Sequence, residues 1–483
     1  MGFKNLKNVH IIGIGGCASS AIAELLTINK VQVTGSEMKK RADLSYLEKM
    51  GIIIKYTHDR KNIINLKPDI ILYSPAVMAL NPHNPEILEA KKKNIKLLSW
   101  QEFIGDYLNS IGRKGITVSG SEGKGTTAGV LTIILKGTKH DPLAILGAKI
   151  KGINNGASSN IYLGMGDTYI LEGDEYNRNF YYYNPSVNIT VNFKYEHPET
   201  YKNFGEYKEA FFNFFSKMKN EKLLIFKATE NTVNLVNEFC LDRTHNIIWY
   251  GDNCNKDFIK KCSYIIDKIS ITKKGINYLL TSKERNIKVF IPAFPGYMVY
   301  NTTGAIIAAV ELGVPDNIIL ENLKSFKGMI RRFDLYKIKK GGIIITDYGH
   351  SPEAVNIIIN EARKIFKNKK IHLIFQPHLF TRTYNFFNEF VDELKKADKI
   401  SLIDIYPARE DPVKWRDKIS SYMIYEELKK AGATCFYEGK SSEMFNNMKD
   451  KIDEKEITIF IGAGDMDFYY NSILEYYNAK SFF

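Results

Sequence analysis

Cysteine is scarce, and its spacing is uninformative for metals and disulfides. Five cysteines (Cys17, Cys240, Cys254, Cys262 and Cys435) are scattered over 483 residues with no C-x-x-C pair. Neither a disulfide framework nor a zinc site is supported by such a pattern. Apolar runs of membrane-spanning length are also missing, and residues 1–9 pass straight into a strand without a cleavable signal. A cytoplasmic location, with no membrane partner, is the expectation. No collagen-like or low-complexity tract occurs, and a hydrophobic content of 44% is ample for buried cores. Lys and Arg outnumber Asp and Glu by 67 to 54, giving a net charge of +13. These cations are spread along the chain rather than stacked in one stripe, so small phosphorylated ligands, not nucleic acid, are the expected partners. The length predicts two or three domains.

What the chain does have is glycine-rich turns between apolar strands and helices. In residues 115–131, Ile116 and Val118 read as a buried strand, Gly120, Gly123 and Gly125 as a turn, and residues 126–135 as a helix. Strand, glycine turn, Lys124 and helix start make a phosphate cradle, in which backbone N–H groups and the helix N-terminus face an anion. The hydroxyl of Thr126 or Thr127 is then available to Mg²⁺. The loop departs from G-x-x-x-x-G-K-[ST], with Val118 for the first glycine and Gly125 directly after the lysine. An exposed lysine on a plain glycine turn is the competing reading.

A second glycine turn lies at the start of the chain. Residues 9–12 form a strand running into Gly13, Gly15 and Gly16, followed by an apolar helix and a strand ending in Gly35-Ser36-Glu37. This is a βαβ opening with an acidic residue about twenty positions past the glycines, where a ribose partner would sit. The third glycine of the dinucleotide fingerprint is absent, and nothing downstream offers hydride chemistry, which argues against an NAD-dependent dehydrogenase. Strands at 52–56, 69–74 and 96–99 complete a doubly wound α/β domain, with 112–115 as a linker. Beyond the phosphate loop, a strand at 169–171 delivers Glu172-Gly173-Asp174-Glu175, and one at 187–191 leads to His197. Carboxylates and a histidine at parallel strand ends suit Mg²⁺ bridging ATP phosphates. Residues 207–215 read as an aromatic core helix, and 223–289 as short strands without legible chemistry. Asn301, on a helix after Pro295-Gly296, is the polar group there able to face a nucleotide. After the junction at 327–334, strands at 342–347, 372–375, 399–402 and 458–461 end in loops carrying His350-Ser351, His378 and Arg382, Arg409, and Asp465. A third α/β domain with a ligand crevice at its strand ends is expected.

These blocks, in this order, resemble the Mur ligase family, the ATP-dependent amide-bond-forming enzymes of peptidoglycan precursor synthesis. The motifs are G-I-G-G with G-S-E, G-S-E-G-K-G-T-T, E-G-D-E-Y, N-F-K-Y-E-H, P-G with Asn301, R-R-F-D, D-Y-G-H-S-P, Q-P-H-L-F-T-R-T and G-A-G-D. The resemblance implies an α/β fold of three domains: a Rossmann-like UDP-sugar domain (1–111), a central P-loop ATPase-like domain (112–327) and a Rossmann-like ligase domain (328–483). It implies UDP-N-acetylmuramate as the carboxylate substrate, L-alanine as the favoured amine, and ATP and Mg²⁺ as cofactors, in a monomer or homodimer. Gly13, Gly15, Gly16, Ser36, Glu37 and Ser74 would bind the UDP sugar. Gly120, Ser121, Glu122, Gly123, Lys124, Gly125, Thr126, Thr127, Asn301 and Arg332 would bind ATP. Thr126, Glu172 and His197 would serve the metal, and Lys124, His350, His378 and Arg382 the reaction itself. The family loop usually reads G-T-x-G-K-[TS]-T, so Ser121 and Gly125 are departures, as are Glu37 for Asp, Asn177 for an acidic residue, and Ser351 for a second histidine. Attachment of a recycled peptide to the same sugar nucleotide fits these motifs as well. A catalytically retired nucleotide-binding relative would not be expected to keep Lys124, Glu172 and His197.

Overall fold

The computed structural model describes every residue except 1–5, 39, 41–43, 198–199, 220–221, 254–256, 273, 339–341, 409, 416 and 483. Cys254 and Arg409 therefore lie outside the described residues. The chain divides into two compact units, Met1–Pro292 with Tyr297–Phe326, and Ala293–Gly296 with Lys327–Phe483.

The first unit holds two sheets. Strands β1 (Asn8–Ile12), β2 (Gln32–Ser36), β3 (Ile53–Lys55), β4 (Ile70–Tyr73) and β5 (Lys96–Ser99) run parallel in the order β3-β2-β1-β4-β5. That order reverses direction between β1 and β4, which puts a ligand crevice at their carboxyl ends, beside Gly13 and Ser74. Its Ile- and Val-rich strands are buried on both faces, as helices on either side require. Helix Trp100–Ser110 follows, started by a capping box between Ser99 and Glu102.

The second sheet comprises β6 (Lys114–Ser119), β7 (Leu143–Asn154), β8 (Ala157–Leu163), β9 (Thr168–Glu172), β10 (Val187–Thr190), β11 (Leu223–Lys227), β12 (Asn246–Asp252), β13 (Tyr264–Thr272), β14 (Gly275–Thr281) and β15 (Asn286–Ile291). They lie in the order β15-β14-β13-β12-β11-β10-β6-β9-β7-β8. From β13 to β7 the pairing is parallel, so β6, β9 and β10 end at one edge. The outer pairs β7·β8, β13·β14 and β14·β15 are antiparallel. Lys114 and Gly115 already belong to β6, so the linker expected at 112–115 shortens to a turn at Gly112, where φ is +69°. The aromatic helix, Phe204–Phe215, buries Tyr207, Phe211, Phe214 and Phe215 in the core, as its amphipathic spacing predicts.

The second unit has β16 (Asp334–Lys337), β17 (Ile343–Asp347), β18 (Ile371–Phe375), β19 (Lys399–Ile403), β20 (Cys435–Gly439), β21 (Ile457–Ile461) and β22 (Lys480–Ser481), in the order β20-β19-β18-β21-β17-β16-β22. Strands β20 to β17 are parallel and β16 is antiparallel to both neighbours. The ends of β17, β18 and β21 carry Asp347, Gln376 and Gly462 to one edge.

Candidate active site

The phosphate loop is built from backbone that only glycine allows at two points. Gly120 has φ +109°, and a Cβ there would stand 2.0 Å from the carbonyl oxygen of Asn192. Gly123 has φ +89° and caps helix Lys124–Leu135; a Cβ there would meet the Oδ1 of Asn301 at 2.7 Å. Asn301, 5% exposed on helix Met298–Glu311, thus lies against the loop. The Ser121 Oγ is buried at this loop without a hydrogen-bond partner among the described residues.

Lys124 is not the exposed lysine of the competing reading. Its Nζ donates to the carbonyls of Gly120 (2.6 Å) and Ser121 (3.2 Å) and to both oxygens of Glu175 (2.9 and 3.1 Å). Burial alone would weaken the ammonium, but Glu175, Glu196 and Asp174 outweigh it and hold the lysine charged. Glu175 is fully buried; burial pushes its carboxyl up, and Lys124 with His197 pulls it below the usual range. Asp174 shows the opposite balance, raised by burial and by its neighbour Glu175. The E-G-D-E-Y block was legible, but Glu175 as the lysine's partner was not.

The expected metal residues divide into two places. His197, at φ +59°, sits with Nε2 3.5 Å from Glu175 Oε1, edge-on to Tyr176. With Glu175 and Glu196 it forms a group whose ligand atoms lie within 4.8 Å of one another, and Glu172 is outside that group. Glu172 Oε1 instead accepts the Gly147 N–H at 2.5 Å. A Cβ on Gly125 would lie 3.0 Å from that same oxygen. Of the two candidate hydroxyls, Thr127 Oγ1 is buried with no partner among the described residues, while Thr126 retains 5% exposure.

At the first glycine turn, Gly13 has φ +76° and lies against Ser74 and Val77. The Gly15 N–H donates to Glu37 Oε2 at 3.0 Å, and Gly16 precedes helix Cys17–Ile28. Gly13, Gly15, Gly16, Glu37 and Ser74 therefore surround one turn. Ser36 departs from the expectation. Its side chain is fully buried and donates to Glu86 Oε2 at 2.7 Å, while its carbonyl receives the Gly13 and Ile14 N–H groups. Glu86 also takes His10 (3.2 Å), His58 (2.8 Å) and Asn62 (2.7 Å). Burial would raise this carboxyl, yet its donors bring it down to about 2. These partners come from three separate segments, around residues 10, 36 and 58–62, which is why sequence spacing did not reveal the cluster.

The second unit brings His350, His378 and Arg382 together. The two imidazoles are 5.8 Å apart, His378 stacks on Tyr406, and Arg382 Nη1 is 3.4 Å from His378 Nδ1. Burial, then the Arg382 charge, push His350 far down, so its ring is neutral. Its Nδ1 donates to the Tyr348 carbonyl at 3.1 Å, which leaves Nε2 as an acceptor. The guanidiniums of Arg331 and Arg332 both face the Tyr348 ring, at 4.9 and 5.0 Å. Arg331 also donates to the carbonyl of Gly462 at 2.6 Å, a structural tie that motif reading did not anticipate.

Sequence comparison addresses all three parts. Residues 8–112 match the Mur ligase family catalytic domain, 118–309 the Mur ligase middle domain, and 331–464 the Mur ligase glutamate ligase domain. The chain belongs to the Mur ligase family. A UDP-N-acetylmuramate–L-alanine ligase of Clostridium acetobutylicum is 31% identical, covering 95% of this chain and 96% of the relative. One of Aquifex aeolicus is 30% identical over 99% of both chains. The crystal structure of a Thermotoga maritima UDP-N-acetylmuramate–alanine ligase shares the fold, with a TM-score of 0.81 at 24% identity over 98% of this chain and 99% of that one.

For a Mur ligase, the departures now have physical content. Gly125 replaces the usual hydroxyl residue at the one loop position whose side chain would face Glu172. Ser351, in place of a second histidine, caps helix Pro352–Ile365 by accepting the Ala354 N–H at 3.1 Å. Glu37 uses its extra methylene to reach the Gly15 N–H.

Proposed function

We propose that this Mur ligase joins L-alanine to UDP-N-acetylmuramate, using ATP and Mg²⁺ to convert the sugar's carboxylate to an acyl phosphate, from whose acyl carbon the amine displaces inorganic phosphate. The observation that carries the reading is Lys124, held charged in a glycine cradle beside a carboxylate pocket. Relatives of that name, matching the chain end to end, support the choice of substrates. Residues 1–111 would hold the UDP sugar, 112–327 the ATP, and 328–483 the ligase machinery.

The donor set fits the cofactors. The Ser121 hydroxyl and the N–H groups around Gly123 have the chemistry an anion needs, and the Glu172 carboxylate lies directly against Gly125 at the start of the helix. Glu172 with the Thr126 hydroxyl would hold Mg²⁺, which when bound supplies charge neutralisation on the transferred phosphoryl group, and His197 would serve a cation from the separate group it forms with Glu175 and Glu196. Lys124 would turn from Glu175 toward phosphate oxygens, and Glu175 would keep the ammonium in place until then. Asn301 would fix the loop against the nucleotide, and Arg332 is the further nucleotide contact that the family resemblance implies. His350, neutral with Nε2 as an acceptor, suits orienting the incoming amine by accepting one of its N–H groups in a hydrogen bond. His378 and Arg382 would stabilise the oxyanion. Phosphate release from ATP should require UDP-N-acetylmuramate plus L-alanine, with glycine, L-serine and a tripeptide as weaker acceptors. Release with the tripeptide alone would redirect the assignment to peptide attachment.

A further inference from the structure

The β7·β8 ladder is interrupted at two places, between Ile145 and Ile150 and between Ile150 and Asn154, and the first holds a buried polar group. Ile145 pairs with Ile161 and the next partner pair is Ile150 with Ser159, so residues 146–149 face the single residue Asn160. A polar side chain buried to 2% exposure fills this break. Asn160 Nδ2 donates to the Cys17 carbonyl at 2.7 Å, and lies 3.1 Å from Cys17 Sγ and 3.4 Å from the Leu146 carbonyl. Cys17 opens the helix that follows the first glycine turn, and its Sγ donates to the Gly147 carbonyl at 3.2 Å. The N–H of the same Gly147 holds Glu172.

One continuous set of hydrogen bonds therefore runs from Cys17 through Asn160 and the Leu146–Gly147 peptide, whose carbonyl faces Asn160 and whose N–H faces Glu172, with the Cys17 Sγ to Gly147 carbonyl contact beside it. It joins the turn assigned to the UDP sugar to the carboxylate assigned to the metal. We propose that Asn160 is a positioning residue that couples UDP-sugar binding to Mg·ATP binding. This rests on the functional reading above. A ligand at Gly13–Gly16 fixes the start of helix Cys17–Ile28; the Cys17 carbonyl then fixes Asn160 and the break at 146–149. The Gly147 N–H is thereby held on Glu172 in the orientation that receives the metal. Coupling of this kind is reciprocal, and such effects commonly amount to about 5–150-fold in affinity.

The test is calorimetric titration of UDP-N-acetylmuramate with and without the Mg²⁺ salt of the β,γ-imido analogue of ATP. Wild type is expected to bind the sugar nucleotide at least about fivefold more tightly when the analogue is present. Asn160→Ala and the isosteric Asn160→Asp should reduce that factor below about two, while each ligand alone still binds and the melting temperature reports an intact fold. Coupling that persists in either folded variant overturns the proposal, as does wild type that binds both ligands independently. Wild type that binds no UDP sugar overturns the functional reading, and this inference with it. A measurement that needs no variant is hydrogen exchange of the segment containing Gly147, which should slow on addition of UDP-N-acetylmuramate alone. Unchanged exchange there overturns the coupling route even if activity is normal.

Discussion

Removing Lys124 is expected to cost stability as well as catalysis, and the two losses have different pH dependence. In Lys124→Ala, Glu175 stays fully buried with His197 as its remaining basic neighbour at 3.5 Å. Breaking a buried ion pair from one side costs about 3–5 kcal/mol. At roughly 2–4 °C per kcal/mol for a large domain, the melting temperature should fall by about 6–20 °C near neutral pH. The sign with pH follows from which influence on Glu175 survives. In wild type the carboxyl is depressed by Lys124, so its contribution is present above its unfolded value of 4.5 and is lost as pH falls through the folded value. In the variant, burial dominates and lifts the carboxyl above 4.5, so its contribution is present at low pH and is lost as pH rises through the raised value. The gap in melting temperature between the two proteins should therefore widen from about pH 4.5 to pH 8. Differential scanning calorimetry across that range measures it, and Lys124→Met with Glu175→Gln should recover most of the loss. A gap that is constant with pH would refute the buried-pair argument, and near-normal turnover would remove Lys124 from the phosphate site.

Three further outcomes follow from the same geometry. Glu172→Gln and His197→Ala should each raise the Mg²⁺ concentration needed for half-maximal ligation by about 10–100-fold, whereas an unchanged titration in both would return them to structural roles. Position 125 faces Glu172, and successive helical residues turn by about 100°, so Thr126 is the nearer hydroxyl and Thr127 points away into the core. Thr126→Val should impair kcat/KM at limiting Mg²⁺ strongly. Thr127→Val should leave it nearly intact and raise stability by about 1 kcal/mol, because it removes a buried hydroxyl without a partner; the reverse pattern in Mg²⁺ dependence would show a different loop register. Glu86, depressed from 4.5 to about 2, should contribute about 3 kcal/mol above pH 4.5 that disappears as pH falls toward 2. Glu86→Gln should be less stable at neutral pH and lack that acid-side dependence, which urea unfolding at several pH values would detect.

What was legible in the sequence was whatever repeats locally. The parallel strands that lead into the glycine turns and polar motifs, among them β1, β4, β5, β9, β10, β17, β18, β19 and β21, were found to within about two residues, because burial leaves a continuous apolar signal, whereas β11 to β13 were read only as a stretch of short strands and β7 and β20 were not found. The hairpin β7·β8 left no such signal. Gly147, Gly152 and Gly156 interrupt it, and its register breaks opposite Asn160. The same distinction separates the site residues. Lys124 lies in a glycine turn that suggests a phosphate cradle, whereas the roles of His350, His378 and Arg382 came from the resemblance of their motifs to the Mur ligase family, and the fold gathers those three in one unit. Glu175 and Ser36 were inside quoted motifs too, yet their partners are distant in sequence. Glu175 reaches Lys124 across 51 positions and Ser36 reaches Glu86 across 50. A buried carboxylate advertises nothing along the chain; it becomes informative only when the donors that hold it charged are in view. For that reason Ser36 looked like a sugar-nucleotide contact beside a glycine turn, when its buried place at the end of β2 makes it a donor to Glu86. Its contribution to the turn is a backbone carbonyl, which any residue could supply, so Ser36→Ala should weaken the Glu86 cluster rather than sugar-nucleotide binding.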